Sequence, residues 1–148
     1  MGKIFFFIVA AVSGTAMAVQ GSLNSALGKV VGEVEATFIV HMIATLVIAL
    51  ILFAFNLGQG NLGKFMSAPW YTYLGGLLNV IILYGVLFSI PRLGVANATT
   101  LIIVGQVLTA ILIDHLGIWG LERIPFRWIQ GLGLVLLAIG ARLLLNIK

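Results

Sequence analysis

KIFFFIVAAVSGTAMAVQGSLNSALGK, residues 3–29, begins and ends with a lysine and carries no charge between them. At 1.5 Å per residue a helix over this stretch is roughly 38 Å long, more than the hydrocarbon core of about 30 Å that it would have to cross. The same spacing recurs down the chain, with no charged residue between Glu35 and Lys64, between Lys64 and Arg92, or between Arg92 and Asp114. Of 148 residues, 61% are hydrophobic and 8% charged, with a mean hydropathy of +1.20, whereas a soluble domain is about a quarter charged. Water is therefore not the solvent for most of this surface.

Periodicity and breakers place helices at about Ile4 to Leu27, Ala36 to Asn56, Trp70 to Ile90, Val95 to Asp114 and Trp128 to Asn146. Asn56, Gly58, Gly60, Asn61 and Gly63 crowd one loop, and Ser67 with Pro69 marks a helix start before Trp70. Pro91, Arg92 and Gly94 read as a very short turn, which makes the third and fourth helices antiparallel neighbours. The expectation is an all-α integral membrane protein, with residues 1–148 forming one transmembrane domain, a five-transmembrane-helix bundle. The start of the chain also mimics a secretory signal, with Lys3, an apolar run from Ile4 to Val12 and the small residues Thr15-Ala16-Met17-Ala18. Against that reading, the uncharged stretch continues to Gly28 and keeps its helical spacing past Ala18.

Composition also excludes whole classes of function. There is no cysteine, and the supply of other acids, bases and metal ligands is two histidines, Asp114 and three glutamates, so disulfides, thiol catalysis and zinc–cysteine sites are excluded and a hydrolytic centre lacks parts. No catalytic residue, metal or cofactor is expected. The net charge is +4, but the eight lysines and arginines stand singly near segment ends. They lack the clustering of a nucleic-acid footprint and read as anchors at the bilayer surface. Trp70, Trp119 and Trp128 fall on one side of a five-span arrangement and read as headgroup anchors. Asp114 and His115 end the fourth helix within reach of a salt bridge to Arg123 or Arg127.

Two strips run down the first helix. Gly14, Ala18, Gly21, Ser25 and Gly28 recur at helical spacing as a small-residue face of the kind that lets helices approach in lipid, while Ser13, Met17, Gln20 and Asn24 follow one residue earlier. Gly133, Leu137 and Gly140, with Gly131, Ala138 and Ala141, suggest a second close-packing face on the last helix. Polar groups in hydrocarbon are expensive, so each either bonds a neighbour or lines a wet path. Gln20, Asn24, Asn79, Asn97, Thr99, Thr100 and Gln106 are the candidates, spread over the first, third and fourth helices. A separate array, Glu33, Thr37, His41 and Thr45, stacks along the second helix. His41 is the titratable group placed at depth, and so the candidate for proton coupling. No carboxylate lies in the middle of a span.

With the amino terminus on one side, that side carries Lys3, Lys64, Arg123 and Arg127 and the other carries Lys29, Arg92, Arg142 and Lys148. The positive-inside rule selects neither orientation when the counts tie, which is what a chain inserting in both orientations would show.

Local patterns add a resemblance. Gly21-Ser22-Leu23-Asn24 with Leu27-Gly28, Pro69-Trp70 with Gly75-Gly76, Pro91-Arg92-Leu93-Gly94, and Gly105-Gln106 with Asp114-His115 and Gly117 together resemble the YdcZ-like family of short five-span proteins in the drug/metabolite transporter (DMT) superfamily. The resemblance covers essentially the whole chain. It implies an exporter of the bacterial inner membrane that is half of a DMT-type inverted-repeat transporter. Longer superfamily members look like two inverted five-span halves, and the four-span multidrug members work as antiparallel dimers, so a partner is implied. The essential glutamate those small members carry in helix one is missing here, where Gln20 and Asn24 are the nearest polar groups. Proton-for-cation exchange therefore does not carry over.

The expected function is a secondary transporter that exports a small organic molecule by alternating access. It would act as an antiparallel homodimer or with a related five-span chain, with Gln20, Asn24, Asn79 and Gln106 binding substrate on a path lined by helices one, three and four, and with His41 coupling a proton. The rival is a non-transporting scaffold or accessory subunit whose polar residues only hold helices together. A membrane enzyme or an open pore ranks below both.

Overall fold

A computed structural model describes residues 2–145, and among these every regular element is helical. The expected helix end at Asn146, and Lys148 in the charge tally, lie outside the described residues. The chain divides into two compact units, one through Arg92 and one from Leu93 onward.

In the first unit, α1 spans Lys3–Val31 and α2 spans Glu33–Ala49, continued by a π-helical turn over Leu50–Ala54. Two 3-10 turns, Leu62–Ser67 and Trp70–Tyr73, lead into α3, Leu74–Leu93. Helix is the economical solution for such a sequence, because lipid offers no partner for an unpaired amide. Six side-chain hydroxyls follow the same logic. Ser13, Thr15, Ser22, Thr37, Thr45 and Ser89 each bond the carbonyl four residues earlier, at 2.7 to 3.1 Å, and so leave no donor facing the lipid.

α1 is longer than its sequence pattern suggested, and α2 begins three residues earlier than expected and, with its π-helical turn, ends at Ala54 instead of Asn56, so the chain between α1 and α2 shrinks to one residue. Gly32 breaks the helix at φ 103°, ψ 152°, while its N–H still reaches the Gly28 carbonyl at 2.9 Å. Glu33 and Glu35 fill the first turn of α2, where acidic groups oppose the positive end of the helix dipole. Pro91 and Arg92, read from sequence as a turn, belong instead to the last turn of α3.

The packed centre of this unit is a small apolar plug. Ala36 of α2 and Leu83 and Leu87 of α3 are buried, with Leu27 of α1 and Val40 of α2 against them. Gly28 makes room for it, since a β-carbon there would stand 2.8 Å from Leu87 Cδ2. That atom is the end of a flexible side chain, so Gly28→Ala should cost little. Gly28→Leu should overpack the plug by about 1–3 kcal/mol, read as lower thermal stability in detergent.

In the second unit, α4 spans Val95–Leu116 and α5 spans Trp128–Leu144. The connection between them is ordered by backbone bonds. Ile124 N–H donates to the Asp114 carbonyl at 2.8 Å, Arg123 Nε donates to the His115 carbonyl at 3.0 Å, and Phe126 N–H donates to His115 Nδ1 at 3.1 Å. Arg127 N–H donates to Gln130 Oε1 at 2.8 Å and starts α5. The expected salt bridge from Asp114 to Arg123 or Arg127 is absent among the described residues. Arg123 is held instead by a carbonyl, which accepts the same hydrogen bond.

Among the described residues, four helices are long and apolar enough to cross a bilayer by length and composition, beginning at Lys3, Glu33, Trp70 and Val95. The fifth, Trp128–Leu144, has 17 residues, the lower limit for a span. Most large apolar side chains, such as Phe5, Phe38, Ile81 and Leu136, are exposed on the helices. They are the surface that lipid or another membrane protein covers.

Candidate functional site

α1, α2 and α3 of the first unit form a half-open cavity of about 120 Å³. Four polar residues line it, Gln20 and Asn24 from α1, His41 from α2 and Asn79 from α3, among apolar groups that include Met17, Ala44 and Val86. Three of the four residues expected to bind substrate therefore share a single cavity with the residue expected to couple a proton. The fourth, Gln106, sits exposed on α4 in the second unit and does not line this cavity. Its third wall is α2, where the sequence pointed to helix four.

The α2 array acquires a direction. Thr37 Oγ1 donates to the Glu33 carbonyl and Thr45 Oγ1 to the His41 carbonyl, each at 2.8 Å, and His41 Nδ1 lies 2.8 Å from the Thr37 carbonyl. A carbonyl only accepts, so Nδ1 carries the hydrogen. In the neutral ring Nε2 is then an acceptor, and Asn79 Nδ2, 3.0 Å away, donates to it. A proton added at Nε2 would put two donors face to face. Asn79 would then have to turn its amide and offer its oxygen. The charge on His41 is thus tied to which end of the Asn79 amide points at the ring.

Asn24 differs from its neighbours. Its side chain is 7% exposed, and its Nδ2 is buried with no hydrogen-bond partner. Such a group costs about 1–3 kcal/mol when left unsatisfied.

Toward the α1–α2 turn the cavity is closed twice. The Ala36–Leu83–Leu87 plug comes first. Beyond it Arg92 Nη1, at the end of α3, donates to Glu33 Oε1, at the start of α2, at 2.8 Å. Arg92 is further held by the Phe88 carbonyl at 2.5 Å and lies 3.6 Å over the Phe88 ring. It is the one ion pair among the described residues. No local pattern in the sequence marks this pair, since its members are 59 positions apart. The one available cue was that a base ends one apolar segment and an acid begins another.

A family model described as "Putative inner membrane exporter, YdcZ" matches residues 5–143, and the chain belongs to that family. It is accordingly a multi-pass protein of the inner membrane, in a family described as exporters. No curated protein and no solved structure matches the chain.

Proposed function

We propose that this member of the YdcZ family is half of a secondary transporter that exports a small organic molecule by alternating access. It pairs with an oppositely oriented copy of itself or with a related five-span chain. The observation that carries the reading is a cavity in which four polar residues meet among apolar helices, with a leucine plug and an ion pair toward the α1–α2 turn. Inverted pairs of this kind place the substrate near the bilayer midplane and expose it by rocking one half against the other. The balanced count of cationic residues on the two sides supports two orientations.

A scaffold role would use its deep polar residues to join helices. His41 and Asn79 do so, but Asn24 makes no such bond through its buried Nδ2, which favours the transporter reading. Solute flux through the purified chain in liposomes separates the two. Because the chain has no cysteine, one introduced at Gly2 reports orientation. Labelling of about half the copies by an impermeant thiol reagent is expected for equal insertion in both directions. Labelling of all or none would reject the antiparallel homodimer and leave a companion chain.

The ion pair gives a second test. Glu33→Gln or Arg92→Gln should loosen the closed end, so that a cysteine at Ala44 reacts several-fold faster with a soluble thiol reagent, on the order of the 0.2–1 kcal/mol that a half-exposed pair contributes. Reactivity equal to that of the parent would remove the pair from the gate. For His41, wild-type flux should depend on pH and flux through His41→Gln should not. A retained pH profile would dismiss His41 as the coupling group.

A further inference from the structure

We propose that the chain from Asn61 to Tyr73, which leads from α2 into α3, is a folded hook that docks on one lipid leaflet at the boundary between headgroups and acyl chains. Leu62, Phe65, Met66 and Trp70 enter the lipid, while Lys64 and Ser67 face the headgroups. The partner is the bilayer itself, and the proposal stands apart from the transport reading.

The pattern of side chains comes first. Leu62–Ser67 is a 3-10 turn, in which residues three apart share a face. Leu62 and Phe65 make one face, Gly63 and Met66 a second, and Lys64 and Ser67 the third, which carries the only charge of the hook. Leu62, Phe65, Met66 and Trp70 are exposed on the chain, Met66 to 87%. A turn of six residues is far too short to span a bilayer. Apolar residues on most of its circumference and a cation on the remainder suit a segment lying in the plane of the membrane surface.

Depth is fixed by the start of the third span. That span runs from Trp70 to Leu93, so Tyr73 lies about one turn inside it. Tyr73 Oη donates to the Phe65 carbonyl, and the two rings stand 4.9 Å apart. Phe65 is therefore held beside the first turn of the span, at the level where tyrosine and tryptophan belt a bilayer. The backbone suits this level as well. Asn61 Oδ1 accepts from the Gly63 N–H at 2.8 Å, and the Lys64, Ala68 and Thr72 N–H groups donate to the Asn61, Phe65 and Pro69 carbonyls. The Ser67 and Thr72 hydroxyls turn back onto the Lys64 and Pro69 carbonyls. Groups bonded in this way lose little on leaving water, and the Lys64 stem is long enough to carry its ammonium up to the phosphates. Four exposed apolar side chains are far fewer than the roughly 20–30 residues a side of a stable protein interface, which favours lipid over a second copy as the occupant.

Because the chain has no cysteine, a nitroxide on a single introduced one reports local surroundings in the full-length protein, reconstituted in phosphatidylethanolamine–phosphatidylglycerol liposomes. Collision with oxygen, which concentrates in lipid, is compared with collision with a water-soluble nickel chelate present on both sides. At Leu62→Cys and Met66→Cys the ratio of oxygen to chelate access should exceed that at Gly60→Cys several-fold. At Lys64→Cys and Ser67→Cys it should fall near the Gly60→Cys value. Without any label, Trp119→Phe combined with Trp128→Phe leaves Trp70 as the one tryptophan. Lipid brominated near the top of its acyl chains should quench Trp70 several-fold more than lipid brominated near their ends.

Chelate access at Met66→Cys equal to that at Gly60→Cys overturns the proposal in favour of a loop in water. Exclusion of both reagents from Met66→Cys overturns it in favour of a protein partner. A preference for oxygen at Lys64→Cys and Ser67→Cys as well would sink the whole hook into hydrocarbon, and would likewise overturn it. Where a labelled variant fails to fold, the Trp70 measurement decides alone, since equal quenching by the two lipids, or none, overturns the docking. A chain that docks in this way yet moves no solute in liposomes would remove the transport reading and leave the hook standing.

Discussion

Replacing Gly32 with alanine should lower the apparent melting temperature of the purified protein by roughly 5 °C and reduce the yield of folded material. The residue sits at φ 103°, ψ 152°, a region essentially restricted to glycine that costs a side-chain-bearing residue about 1–3 kcal/mol. A β-carbon there would also crowd Glu35 Oε2, but a surface carboxylate can swing away. The backbone term therefore dominates. What it protects is the single-residue link between α1 and α2, which sets how the Gly28 region meets Ala36 and Leu87. Gly60→Ala serves as the control, because its β-carbon would meet nothing within 4 Å and its backbone needs no positive φ. Equal melting temperatures for both variants would mean that the turn relaxes without loss.

Filling the cavity should stop transport without unfolding the protein. Ala44 lies on the cavity wall, one turn beyond Val40 on α2. A phenyl ring placed there occupies much of about 120 Å³ and adds apolar contact to an apolar wall. Ala44→Phe is therefore expected to keep its melting temperature and to lose flux by about tenfold or more, equivalent to about 1.4 kcal/mol. Undiminished flux at normal expression would place the transport path elsewhere, and the exposed Gln106 of α4 would then be the residue to replace next.

The apolar helices are legible in the sequence because their signal is local. Runs between charges are long enough to span, and each run is apolar all round, so hydropathy averages and simple counting of uncharged residues find the same segments. The helix ends are less legible. α1 continues to Val31 and α2 begins at Glu33 because one glycine suffices for the reversal, whereas the charged stretch from Lys29 to Glu35 reads as a loop. The available cue was Gly32 directly ahead of Glu33 and Glu35, a stop followed at once by an acidic start. At the other end of the unit, Pro91 suggested a turn, yet it closes α3 without ending it, since a proline in a last turn removes only one hydrogen bond.

The polar residues are legible as individuals but not as a group. Gln20 and Asn24 share a helix face by spacing alone, and His41 stands at depth by its distance from Glu35. That Asn79 bonds His41, 38 positions away, depends on how α2 and α3 face one another, and each of these helices is apolar nearly all round. Hydropathy assigns such a helix no preferred face, so its sequence cannot say which neighbour it meets. The pairing of Glu33 with Arg92 has the same origin. The sequence by itself determined that this is an all-helical chain for a membrane, because burying an apolar segment in lipid requires only length and composition. The tertiary structure decided which few polar groups look into a common space and which donor is left without a partner, because those facts depend on side-chain packing between helices that lipid solvates equally well on every face.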